Sequence, residues 1–215
     1  MRCTASRVAC VVSIGVVVIG CGAARVRMNS FEVDYFRLSP RSDTEALPSI
    51  GLGELASPDP SDDGYEIGQA KTGAFNTPAP ILSDEAPGRV VQRFLALGFE
   101  RIGVELAAPE DADVTLTGEV VRFWVDEYTT GWNPEYSRAS VSFDVLARDR
   151  SGKLIWAGRQ EAHVKSSVSF TDASPYNQTT LEEAILIAIR TLFDDPVFWT
   201  SLESAAPVAQ AKTSG

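Results

Sequence analysis

At 215 residues, with 44% hydrophobic and 22% charged residues, the chain has the makeup of one globular domain with appendages. Nineteen Lys+Arg against 29 Asp+Glu give a net charge of −10. That argues against a nucleic-acid binder, and against a face that hugs anionic headgroups by charge alone. The three cysteines, Cys3, Cys10 and Cys21, all lie in the first tenth of the chain. A disulfide framework or thiolate metal site in the main domain is therefore excluded.

Arg2 and Arg7 form a short positive segment, and an apolar run follows from Val8 to Gly20, interrupted only by Ser13. Crossing a bilayer takes about 20 apolar residues, so this run is too short to span one. A charged start, a short apolar stretch and small residues at its end make the pattern of a secretory signal over residues 1–20. The run ends Val18-Ile19-Gly20-Cys21, which resembles the bacterial lipoprotein signal, with Ile19 where a small residue is usual. The resemblance implies cleavage before Cys21, a diacylglyceryl thioether on its sulfur and an acylated amino group. Several acyl chains anchor stably where one binds marginally, since each buried methylene contributes about 0.8 kcal/mol. Gly22, in place of Asp, implies export to the outer membrane on its periplasmic side. Residues 21–30 then read as a tether.

A single domain is expected over 31–203. "NSFEVDYFRLSP" is a strand candidate closed by Pro40, and 41–80 is dense in Pro, Gly, Ser and Asp, which predicts a long loop region. Within it "SIGLGEL" is a candidate short strand. "LSDEAPGRVVQRFLALGFE" predicts a helix capped by Ser83 and closed by Gly98, with Val90, Val91, Phe94, Leu95 and Leu97 as its apolar face.

Three extended segments follow. In "ADVTLTGEVVRFWVDEY" the apolar phase changes between Val114, Leu116, Val120 and Val121, Phe123, Val125, which means a bulge or a middle buried on both sides. "YSRASVSFDVLARD" alternates with Ala139, Val141, Phe143, Val145 and Ala147 inward. "GKLIWAGRQEAHVKSSVSF" repeats this with Leu154, Trp156, Ala162, Val164 and Val168. The connections "TTGWNPE" and "DRSG" predict antiparallel hairpins.

A closing helix is expected from Thr180, with Glu183 completing a capping box and Leu181, Ala184, Ile185, Ala188, Ile189 and Leu192 as its stripe. Asp195-Pro196 predicts the cap and first position of a short helix ending near Leu202, and 204–215 a disordered tail. The fold class is α+β: a two-layer sandwich, an antiparallel β-meander with two main helices packed on one face.

Little in the sequence names a reaction. His163 is the only histidine and falls on a polar strand face with Arg159, Glu161 and Lys165, which excludes an imidazole-rich zinc site. Asp59 to Gly64 partly matches a calcium loop, but Ala70 stands where a bidentate Glu is required, so a surface turn is expected. Helix and strand ends account for the acid pairs Asp126/Glu127, Glu182/Glu183 and Asp194/Asp195. No catalytic residue, metal or cofactor is expected. Tyr128, Trp132 and Tyr136 cluster at the first hairpin, where amphipathic aromatics can touch a partner or a lipid surface, or pack over the hairpin end.

Over residues 31–195, the loop with "EIGQAKTG", the helix ending "FLALGFE", and "DADVTLTGEVVRFWV" leading a long meander resemble the YajG-type bacterial lipoproteins. The layout is also similar to the lipopolysaccharide-assembly (LptE-like) lipoproteins, with "DRSGKL" as the meander turn. The first family supplies no catalytic residues; the second implies partnership with an outer-membrane barrel. The expectation is a non-enzymatic, membrane-anchored envelope protein that binds or assists an envelope partner and not nucleic acid. An envelope hydrolase using scattered acids is the competing class.

Overall fold

Strand β5 (Val114–Thr130) organises the sheet, because one of its edges is paired along its length and the other takes two further strands. The computed structural model describes residues 47–61, 64–72, 77–130, 133–167 and 173–206. The strand candidate at 29–40, Cys21 and most of the expected tail lie outside them. One edge of β5 runs antiparallel to β6 (Asn133–Asp149), from Val114↔Asp149 to Thr130↔Asn133. β7 (Leu154–Ser167) continues antiparallel on β6, so the predicted meander is present.

The other edge of β5 is shared. Its first third takes β1 (Ile50–Ala56) in parallel, and Val125 and Asp126 take β2 (Tyr65–Thr72) in parallel. β3 (Thr77–Ser83) pairs antiparallel with β2, and β4 (Leu106–Ala107) parallel with the start of β1. The α+β class holds, but the sheet is mixed and has seven strands. The expected loop region over 41–80 is corrected accordingly: its described residues include β1, β2 and the first part of β3. These strands are short and rich in Gly and Pro, so their alternation is weak, and pairing with β5 decides them. Gly68 shows why: a Cβ there would sit 1.9 Å from the Val125 carbonyl oxygen, so the residue that weakens the local signal is what lets β2 approach β5.

The phase change in β5 is a bulge. Val120 pairs with Phe143 and Arg122 with Ser142, so Val121 is displaced outward and is 44% exposed. Val114, Leu116 and Val120 before it, and Phe123 and Val125 after it, all face the core. The predicted inward residues of β6 are all buried, as are Trp156, Ala162 and Val164 of β7. Leu154, expected inward, is exposed beside a register shift at Ala147/Arg148.

Helix α1 (Pro87–Ile102) differs at both ends from expectation. Ser83 bonds only the Glu85 backbone, whereas Ser57, far away in sequence, accepts from the Gly88 N–H at 2.8 Å. Gly98 is buried within the helix, and Gly103 closes it at φ 83°. Phe99 and Ile102 are core residues, so one more turn has an apolar face to bury. Helix α2 (Ala173–Phe193) begins seven residues before Thr180, which is itself fully buried, so the expected capping box does not start it. Its predicted stripe is buried at every position and packs on β6 and β7. Helix α3 (Pro196–Ala205) starts as expected, with Asp195 accepting from the Val197 N–H, and runs three residues past Leu202.

The helices meet in an aromatic cluster. Phe99 stands edge-on to Phe193 at 4.9 Å, Trp156 edge-on to Phe198 at 5.0 Å, and the Trp199 indole donates to the Phe193 carbonyl. One continuous core thus joins the helices to the inner face of the sheet, while Val121, Arg122, Arg138, Glu161, His163 and Lys165 on the outer face of β5–β7 are exposed.

Candidate functional site

Beyond the bulge, the outward positions of β5 are Arg122, Trp124, Asp126 and Tyr128. Register places Tyr136, Arg138 and Ser140 beside them on β6, and Lys165, His163 and Glu161 on β7. Tyr128 and Tyr136 are directly opposite, and their rings stack at 4.8 Å with planes 15° apart. The Arg138 guanidinium lies 5.2 Å from the Tyr128 ring centre and the Lys165 ammonium 3.8 Å from that of Tyr136. Each cation sits in the negative field of a ring face. Two of the three aromatic residues singled out from the sequence are therefore joined; Trp132 lies outside the described residues.

His163 is exposed, as expected, but its ring is held at both nitrogens. Nε2 is 2.9 Å from Glu161 Oε1 and Nδ1 is 2.9 Å from Ser140 Oγ. The carboxylate favours the proton on Nε2, which leaves Nδ1 to accept from the Ser140 hydroxyl. Acid, imidazole and hydroxyl touch in the order a hydrolytic relay uses. Acyl transfer also needs preorganised donors for an oxyanion in a site shielded from water. Here 62% of the His163 side chain is exposed, and Ser140 lies mid-strand between β5 and β7. The contacts orient the ring and hydroxyl on an open face.

The inner face of the same hairpin carries a buried polar cluster that the sequence reading missed. Glu127, which its sequence context places at a strand end, is 7% exposed. The Asn177 amide of α2 donates to its Oε2 at 3.5 Å, and Ser137 Oγ donates to Asn177 Oδ1 at 2.7 Å. Desolvation pushes the Glu127 carboxyl above its usual range, against the opposing pull of the Asn177 amide and of the Lys71 backbone N–H and ammonium. A polar residue on the apolar phase of a strand was the available signal.

Of the other acid pairs, Asp194/Asp195 is at a helix end as expected: Asp195 caps α3 and Asp194 pairs with Arg190 at 3.5 Å. Glu182/Glu183 is not, because α2 starts at Ala173 and places both inside the helix, where Glu182 accepts from the Gln178 amide at 2.8 Å and Glu183 from the Ser166 hydroxyl at 3.4 Å. Ser61 and Gly64 exchange two backbone hydrogen bonds, and Asp62 and Asp63 between them, in the expected surface turn, lie outside the described residues. Among the described residues no group of His, Cys, Asp or Glu could hold a metal ion, and no helix is long and apolar enough to cross a membrane. A depression of about 620 Å³ lies between β1 and α1 beside Tyr65 and Arg89, with Gln92 bonded to the Leu52 and Gly53 carbonyls.

No protein-family model matches the sequence, and no curated protein matches it. Solved structures do. A Xanthomonas campestris protein of the DUF330 family superposes with a TM-score of 0.53 at 15% identity, covering 85% of this chain and 97% of its own. The two share a fold. A candidate lipoprotein from Caulobacter crescentus is similar at 17% identity, over 53% of this chain and 82% of its own, with a TM-score of 0.40. A minor lipoprotein from Acinetobacter baumannii is similar at 13% identity, over 73% and 90%, with a TM-score of 0.38. The latter two superpose too loosely to define a common fold.

Proposed function

We propose that this protein is a YajG-type bacterial lipoprotein, anchored through Cys21 to the periplasmic side of the outer membrane, that serves as a non-enzymatic binding or assembly accessory. Its domain would contact an envelope partner through the end of the β5–β6 hairpin. The observation that carries the binding reading is the stacked Tyr128–Tyr136 pair flanked by Arg138 and Lys165 on the solvent side of the sheet. Stacked aromatics with cations on their faces offer contact area at low entropic cost, as interface anchors do. The anchor rests on Val18-Ile19-Gly20-Cys21 after a short apolar run.

Radiolabelled palmitate in growing bacteria tests the anchor. Label is expected in the wild type and absent from Cys21→Ser; equal labelling of both, or none in the wild type, sinks it. Crosslinking in intact envelopes tests the contact. Tyr128→Ala and Trp132→Ala are expected to lose an adduct that the wild type forms, with the circular dichroism spectrum unchanged.

A further inference from the structure

Three cations from three strands line one shallow depression of about 470 Å³ on the outer face: Arg122 of β5, Arg138 of β6 and Lys165 of β7, with Ser140 and His163 between them. In a chain of net charge −10 this is a local inversion of sign. Arg138 and Lys165 are directly opposite across β6–β7, where like charges repel.

The nearby carboxylates are engaged elsewhere. Glu161 holds His163 Nε2, and Asp126, opposite Arg138, accepts from the Trp124 indole at 2.8 Å. Arg159, farther along the same face, is paired with Asp144 at 2.6 Å, whereas Arg122, Arg138 and Lys165 form no ion pair with another described residue. Tyr128 and Tyr136 hold Arg138 and Lys165 in place without neutralising them. The patch therefore presents two guanidinium forks and an ammonium as donors, around a Ser140 hydroxyl and a His163 ring whose protons are already given to Nδ1 and to Glu161. A tetrahedral oxyanion, with acceptors pointing several ways, satisfies such donors at once.

We propose that this depression binds a phosphate-bearing group, carried either by an anionic phospholipid headgroup or by a soluble phosphate ester. The proposal deepens the binding-face reading above and rests on it, but needs no lipid on Cys21.

The test is calorimetric titration of the full chain at low ionic strength in a sugar-headgroup detergent, with inorganic phosphate and with short-chain phosphatidylglycerol as probes. Saturable binding is expected, weakened at least tenfold in Arg138→Gln/Lys165→Gln, severalfold in Arg122→Gln, and unchanged in Arg159→Gln. Saturation by the lipid alone supports a headgroup as the source, and equal saturation by both probes supports a soluble ester. Saturation by neither, or binding that the Arg122, Arg138 and Lys165 variants leave unchanged, overturns the site. The Arg122→Gln variant keeps the test decisive should the double variant misfold. Palmitate labelling is independent of this result, so the anchor and the phosphate site stand or fall separately.

Discussion

The side-chain amide of Asn177, on α2, donates to the carboxylate of Glu127, on β5, at 3.5 Å, and so ties the far end of the long hairpin to the start of the principal helix. The carboxyl is nearly shielded from water, and desolvation raises its proton affinity above that of the unfolded chain.

The sign of the resulting pH dependence follows from linkage. Between the ordinary value of 4.5 and the raised folded value, the folded state binds more protons at this site than the unfolded state. Stability from Glu127 therefore falls as pH rises through that window and is regained on acidification. Glu127→Gln keeps an acceptor for Asn177 and removes the charge. Chemical denaturation from pH 4.5 to 8 is expected to show a flatter profile for the variant, with stability at pH 8 at or above that of the wild type. An equally steep decline in both proteins would assign the dependence to other groups.

Gly68→Ala places a methyl group against the Val125 carbonyl oxygen, where only glycine fits. Forced separation of β2 from β5 is expected to cost about 1–3 kcal/mol. In a protein of this size that is about 2–4 °C in melting temperature per kcal/mol. A variant as stable as the wild type would mean that the parallel β2–β5 pairing does not hold the sheet together.

Two serines compete as the cap of α1. Because Ser57, and not Ser83, accepts from the Gly88 N–H, Ser57→Ala is expected to destabilise by about 0.5–2 kcal/mol. Ser83→Ala removes only contacts with the Glu85 backbone and is expected to cost less. The reverse order in urea denaturation would restore the local cap that the sequence suggests.

The bulge predicts a contrast along one strand. Val121 is turned outward, so Val121→Ala is expected to change stability by no more than about 0.5 kcal/mol. Leu116 is fully buried on the inward phase, and Leu116→Ala is expected to cost about 2–5 kcal/mol. Similar losses for the two would place Val121 in the core.

Periodic signals were legible wherever one face of an element meets the core. The alternation in β6, the stripe of α2 and the Asp195-Pro196 start of α3 could all be read directly, because each is a local consequence of burying one side. The candidate site was legible only in part. Tyr128 and Tyr136 were visible as an aromatic cluster, but their partners Arg138 and Lys165 come from registers across two strand pairs. Glu127 gave only the weak sign of a polar residue on an apolar phase, since its partner Asn177 arrives from a helix 50 positions away.

The amino-acid sequence by itself determined the α+β class, the antiparallel order of β5 to β7, and the signal-and-cysteine pattern from which the anchor is proposed. These depend on composition and short-range spacing, which the chain carries wherever it folds. Only the tertiary structure decided that β1 and β2 lie parallel to β5, that Ser57 caps α1, and that three cations of an acidic protein share one depression. Those are contacts between residues distant in sequence, fixed by register, close approach and burial, for which local pattern holds no record.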